Sequence, residues 1–317
     1  MGSLITPAVA IVTNERDVSA DWVVRELRAR GSSFVRINTE RLAERHHSIN
    51  PVSGDWIYKT AHATYDLSSL QSVWYRRPER PVISTDTELT DGESEYVADQ
   101  WAGVIDGLAM LPCRWMNSPH AGARAESKIL QLREAKAIGL RIPDTLITNS
   151  RDEALEFIKN GERTSVVKAL SSSLIRDAEE SRFVFTTMAT VGLISSARNI
   201  EVAPFVLQEA IEPKDDVRVT VVGEHVLAAR VPDIGTLDWR RSHERARFEP
   251  WDLPCAMAEA CVELVRRLGL RFGAIDFALS GSGEYYFLEL NQNGEWGWLQ
   301  QTCGLPIAEA ITDELTA

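Results

Sequence analysis

Two short segments, Ala274-Ile275-Asp276-Phe277 and Phe287-Leu288-Glu289-Leu290-Asn291, carry acidic side chains inside otherwise apolar strands. A carboxylate on such a strand costs free energy unless something compensates it. With Ser282-Gly283 read as a two-residue hairpin turn, Gly281 faces Glu284 and, counting back, Asp276 faces Glu289. Directly paired residues have Cβ atoms about 5 Å apart, so two carboxylates there repel unless a cation lies between them. Asn291 is two residues beyond Glu289 and projects from the same face. Two carboxylates and an amide oxygen are hard ligands, the set expected for magnesium shared with phosphates rather than for zinc or copper. The alternative is a solvent-facing acidic stripe on an amphipathic hairpin. A one-residue slip in register would send Asp276 to the opposite face.

The rest of the chain supplies enough structure to surround such a hairpin, since 317 residues allow two or three domains with cores of their own. Ala8 to Val12 reads as a buried strand. Ser19 can cap a helix through Trp22, Val23 and Leu27 that stops at Gly31, and Phe34 to Ile37 returns as a strand. This order is a βα unit of an open α/β sheet, without a G-x-G-x-x-G turn. Asp55 to Thr60 and Ala63 to Leu67 form a hairpin, Ser72 to Tyr75 a strand ending in Arg76-Arg77-Pro78, and Thr90 to Leu111 a long acidic helix.

The turn cluster Met116-Asn117-Ser118-Pro119 sets the first boundary, giving an N-terminal domain over 1–117. A central module over 118–206 opens with one helix from Arg124 to Ile138, followed by a capped helix at Ser150-Arg151-Asp152-Glu153 and a strand carrying Lys168. The remaining 207–317 is mostly strand, with a helix from Pro254 to Leu268 and the acidic hairpin after it.

Acidic side chains outnumber basic ones, 46 to 34, for a net charge of -12, which argues against an electrostatic nucleic-acid partner. The four cysteines show no C-x-x-C spacing and no apolar run reaches membrane length, so a cytoplasmic protein with neither zinc site nor membrane association is expected. Lys168, in Val166-Val167-Lys168-Ala169, is an ammonium in an apolar strand and needs a nearby anion. Arg218 and Arg230 lie on adjacent expected strands, where guanidinium groups suit a bidentate hold on phosphate or salt bridges to Asp216 or Glu224.

Asp276 with Glu289-Leu290-Asn291 resembles the metal-binding strands of ATP-grasp ligases. The resemblance implies an α/β (α+β) ATP-grasp fold with an N-terminal pre-ATP-grasp α/β domain, and ATP with Mg2+ as cofactors. It makes Asp276, Glu289 and Asn291 the metal ligands, and Lys128 and Lys168 the nucleotide lysines; Lys128 by itself could equally be a solvated helix residue. Gln208, Glu209, Ala210 and Ile211 become the hinge that reads adenine, Asp216 the ribose contact, and Arg218 and Arg230 the catalytic arginines. Ser171-Ser172-Ser173 stands where the family has a glycine-rich phosphate loop.

Val35-Arg36-Ile37-Asn38-Thr39, Ser72-Val73-Trp74-Tyr75-Arg76-Arg77-Pro78, Leu237-Asp238-Trp239-Arg240-Arg241 and Asn291-Gln292-Asn293-Gly294-Glu295-Trp296-Gly297-Trp298 narrow the resemblance to the ATP-grasp maturases of ribosomal peptides that make microviridin-like products, the graspetides. These enzymes imply a ribosomally made precursor peptide, leader and core, as partner. They also imply a homodimer, and ring closure between an Asp or Glu side chain activated by ATP and a Thr, Ser or Lys side chain. Arg240 and Arg241 either contact the peptide carboxylate or form a solvated loop, and Trp296 and Trp298 fit the core better than a peptide groove. The same apparatus would serve a ligase adding amino acids to a peptide or protein terminus, or survive in a silent nucleotide- or peptide-binding scaffold.

Overall fold

The computed structural model describes residues 4–83, 88–161, 164–171, 174–176, 181–233, 235 and 247–317. Buried β-branched runs build a parallel sheet in the order Phe34–Asn38, Val9–Thr13, Ser72–Tyr75, Arg114–Met116. The helix Val18–Ala29 packs Val23, Val24 and Leu27 against it. Its cap is Asp17, not Ser19: the Asp17 carboxylate accepts from the Ala20 amide, while Ser19 is buried within the helix. Asp wins because its side chain sits before the first turn, where orphan amides point. A second small sheet, containing the expected hairpin of Asp55–Lys59 and Thr64–Asp66, flanks this one.

The helix expected from Arg124 to Ile138 is two helices, Pro119–Ala125 and Lys128–Ala137. Ser118 and Ser127 each cap one, and the Ser127 hydroxyl accepts from the Leu130 amide, so Lys128 opens the second helix. An antiparallel sheet follows in the order Thr187–Ala189, Ser165–Ala169, Phe205–Glu209, Thr145–Thr148. A five-stranded antiparallel sheet then runs Glu249–Pro250, His225–Val231, Lys214–Val222, Phe272–Ser280, Tyr285–Asn291.

The two faces of the five-stranded sheet differ. Val217, Val219, Val221, Ile275 and Phe277 form one core with the helix Cys255–Arg267. On the other face Val222, Ala229 and Phe272 join a core that also holds Ile11, Trp74 and Trp296 and the C-terminal helix Ile307–Thr316. Trp296 is fully buried there, and Trp298 packs against the same core and the Phe248 ring. The first and last thirds of the chain thus share a core, tied further by Ser72 Oγ donating to the Leu315 carbonyl at 2.6 Å. Among the described residues no helix is long and apolar enough to cross a membrane.

The acidic hairpin turns through Gly281-Ser282-Gly283, three residues rather than two, with Gly283 at φ 81° and the Ser280 amide donating to the Glu284 carbonyl. Left alone, that turn would put Leu288 opposite Asp276. A β-bulge between Asp276 and Phe277 absorbs one residue on the opposite strand, so that Phe277 faces Phe287 while Asp276 faces Glu289. The expected pairing at Asp276 is therefore observed, by a different route through the turn.

Candidate active site

The ladder sets which polar groups share a face. Arg218 pairs with Asp276, Asp276 with Glu289, and Ala274 with Asn291. Since side chains opposite one another project together, Asp216, Arg218, Asp276, Glu289 and Asn291 line one face. Arg218 Nη1 donates to both Asp276 oxygens at 2.7 Å. Lys128, at the start of its helix, donates to Glu289 Oε2 at 2.6 Å. Asn291 is exposed and its Oδ1 accepts from the Asn293 amide at 2.9 Å. Asp216 is paired with Lys214.

Lys168 sits on the four-stranded antiparallel sheet. Its Nζ donates to Gln208 Oε1 at 2.7 Å, and Gln208 Nε2 donates to Thr145 Oγ1 at 3.0 Å. Burial pushes Lys168 down to about 8, Glu289 and Asp216 act to raise it, and Lys128 and Lys214 to lower it. Lys128, Lys214, Asp216 and Glu289 are therefore within electrostatic reach of Lys168. A half-buried ammonium held by one neutral amide is poised to accept an anion.

In the hinge, the Glu209 amide donates to the Asp144 carbonyl and the Ala210 amide to the Thr164 carbonyl, each at 2.8 Å. Gln208, Ala210 and Ile211 are buried.

Arg230 is not brought to this cluster. It faces Val217 on the opposite side of the sheet, pairs with Asp215 at 2.8 Å, and lies over the Trp251 ring at 4.6 Å. The signal was present in the sequence: with Gly223-Glu224 as a two-residue turn, Val222 faces His225 and Arg230 must face Val217. Arg240 and Arg241 lie outside the described residues, as do Ser172 and Ser173.

The donor set fits a hard cation bound with phosphates. Two carboxylates and an amide oxygen share one face, and Arg218 and Lys128 now hold the negative charge that a cation would otherwise balance. No cluster of three or more His, Cys, Asp or Glu occurs among the described residues, so an amide or phosphate oxygen must complete the set.

The sequence gives no sign of Asp17, or of the meeting of Ser19 and Arg76 with Glu295. Arg76 is a fully buried guanidinium at the end of Ser72–Tyr75, and a charge directly after an apolar strand was its only signal. Between the ends of Val9–Thr13 and Ser72–Tyr75 and the residues after Asn291 lies a cleft of about 520 Å³, lined in part by Asn14, Tyr75, Arg77, Glu126 and Asn293.

No protein-family model matches the sequence. Among curated proteins, beta-citrylglutamate synthase B of Danio rerio is 22% identical over 245 residues, 74% of this chain; the chain spans 57% of that relative's length. A Chryseobacterium gregarium RiPP-associated ATP-grasp ligase, solved with ADP and a leader and core peptide, superposes with a TM-score of 0.90 at 26% identity over 98% of this chain and 96% of that one. The macrocyclase MdnC of Microcystis aeruginosa, bound to the precursor peptide MdnA, gives 0.86 at 27% identity over 98% and 99%. The chain has the ATP-grasp fold and, over nearly its whole length, the form of the ATP-grasp ligases of ribosomal peptide maturation.

Proposed function

We propose that this chain is an ATP-dependent ligase that activates Asp or Glu side chains of a ribosomal precursor peptide as acyl phosphates and closes side-chain ester or amide macrocycles. The observation that carries this reading is the pair of cations, Lys128 and Arg218, held on the Glu289 and Asp276 carboxylates, with Lys168 within electrostatic reach of Glu289. The RiPP-associated ATP-grasp ligase and the macrocyclase MdnC, both solved with peptide, support the same reading.

Asp276, Glu289 and Asn291 would hold Mg2+, which when bound neutralises phosphate charge. Lys128 and Lys168 bind the phosphates of ATP. The Gln208–Ile211 segment meets adenine, and Asp216 meets the ribose hydroxyls.

Arg218 is already fixed beside Asp276. Its guanidinium stabilises the negative charge that develops as the peptide carboxylate oxygen attacks the γ-phosphorus and ADP leaves. A hydroxyl or amine of the same peptide then attacks the acyl carbon, phosphate departs with the electron pair, and the nucleophile's proton is lost to solvent. Holding both peptide side chains in one site supplies the proximity that makes ring closure favourable.

The cleft beside Asn293 lies at the carboxyl ends of Val9–Thr13 and Ser72–Tyr75, where the order of the parallel sheet reverses. Ligands of open α/β sheets enter at such points, so we place the core peptide there. Arg230, on the far face, is assigned a structural role, and the divisions at 1–117, 118–206 and 207–317 are proposed as functional units.

Incubation with ATP, Mg2+ and a precursor rich in Thr and Asp or Glu should remove one water per ring from the peptide mass. Retention of the full mass with ATP consumed would sink ring closure, and, with free amino acids also supplied, a gain of amino-acid mass would favour terminal ligation.

A further inference from the structure

Arg76 is fully buried, and none of its three nitrogens makes a hydrogen bond among the described residues. Its compensation is ionic: Nε lies 3.7 Å from Asp17, whose side chain is also fully buried, and Nη2 lies 3.5 Å from Glu295. The guanidinium sits over Trp74 and Phe272, at 5.7 and 5.8 Å from the ring centroids. Burial lowers it to about 10, with Asp17 and Glu295 opposing, so it is cationic at neutral pH. A buried charge of this kind needs its partners in place, because removing one leaves an uncompensated charge.

One partner comes from the loop that leaves the proposed metal strand. Glu295 also accepts from Ser19 Oγ at 2.6 Å and pairs with Arg77. Arg77 Nη2 donates to the Asn293 carbonyl at 3.2 Å, and Asn14 Nδ2 donates to the Arg77 carbonyl at 2.8 Å. Asp17 is itself held by Thr13 Oγ1 at 2.6 Å. On the site side, Arg218 Nη2 reaches the Glu295 carbonyl at 3.4 Å. A Cβ at Gly294 would lie 2.4 Å from the Ala274 Cβ and 2.9 Å from Arg218 Nη2, so the loop has no slack there.

Resting on the magnesium and nucleotide reading above, we propose that Arg76 and Glu295 are positioning residues: through them the N-terminal sheet fixes the loop Gln292–Glu295, and with it Asn291 and Arg218. Neither residue touches substrate in this assignment. Groups outside the ligand shell that orient ligands commonly govern metal affinity, and here the N-terminal domain provides them.

The test uses the full chain and two readouts other than turnover. Calorimetric binding of a non-hydrolysable ATP analogue is measured across a Mg2+ titration, and amide exchange of residues 291–297 is measured without nucleotide. Glu295→Gln keeps size and the Ser19 hydrogen bond but removes charge. It should raise the Mg2+ needed for half-maximal binding about tenfold, speed exchange in 291–297, and leave Mg2+-free nucleotide affinity unchanged.

Arg76→Met should act in the same direction, and the double variant should lose less than the two singles together imply, since both ends of one pair are then gone. Should Arg76→Met fail to fold, Glu295→Gln decides alone, because that side chain is 42% exposed. Unchanged Mg2+ dependence and exchange in Glu295→Gln would overturn the proposal. Wild-type binding that ignores Mg2+ would instead overturn the underlying metal reading, and that is visible before any variant is made.

Discussion

The two faces of the five-stranded sheet use the same strands for opposite ends. On one, Val217, Val219, Val221, Ile275 and Phe277 are sealed under the helix Cys255–Arg267. On the other, one residue along in each case, Asp216, Arg218 and Asp276 stand with Glu289 and Asn291 among cations from two other elements. Alternation alone separates them, since successive side chains on a strand point to opposite sides. The contrast between Arg218 and Arg230 is the sharpest instance. They occupy neighbouring strands and similar apolar sequence contexts, yet one grips Asp276 and the other pairs with Asp215 over Trp251.

The strongest break in this comparison would come from the carboxylates. Asp276→Ala or Glu289→Ala should lower Mg2+-dependent ATP consumption at least about a hundredfold, measured as phosphate release; retained activity would mean that the face is not a metal site. Arg218→Met should cost about a hundredfold in the same assay. Arg230→Met should lose little activity and only ~1 kcal/mol of stability, since its Asp215 pair is partly exposed. Equal losses would erase the distinction between faces.

Lys168 offers a pH test. Burial lowers its free-protein value to about 8, so the ammonium that attracts phosphate is present below that pH. Nucleotide affinity should be level below pH 8 and fall by about tenfold per unit above it. Lys168→Met should bind more weakly and show no such fall. Stability moves oppositely. The unfolded chain holds this proton up to the ordinary lysine value, so the burial penalty is full below pH 8 and fades as pH rises toward that value. The smallest effect belongs to the core face: Ile275→Val should cost ~1 kcal/mol in thermal unfolding with nucleotide affinity unchanged.

Much of this was legible without coordinates, for reasons that differ by residue. Acidic residues in apolar strands announce themselves by their cost, and that is why Asp276, Glu289 and Lys168 could be singled out. The pairing of Asp276 with Glu289 was reached through a two-residue turn, whereas the chain uses a three-residue turn and a bulge whose shifts cancel. A turn and a bulge each change register by one, and nothing in the local apolar pattern separates that combination from a regular hairpin. The single helix expected from Arg124 is two because the Ser127 cap interrupts the backbone just before the apolar positions that begin at Ile129.

By itself the sequence determined the local elements, the hairpin's chemistry and the acidic and basic residues that had to find partners, because periodicity, capping and desolvation act over a few neighbouring residues. Only the tertiary structure decided which of those residues meet. Lys128 reaches Glu289 across more than half the chain's central module and beyond, and Ser19, Arg76 and Glu295 come together from opposite ends of the sequence. Such contacts are fixed by how sheets pack and strands register, quantities to which no short stretch of sequence is sensitive.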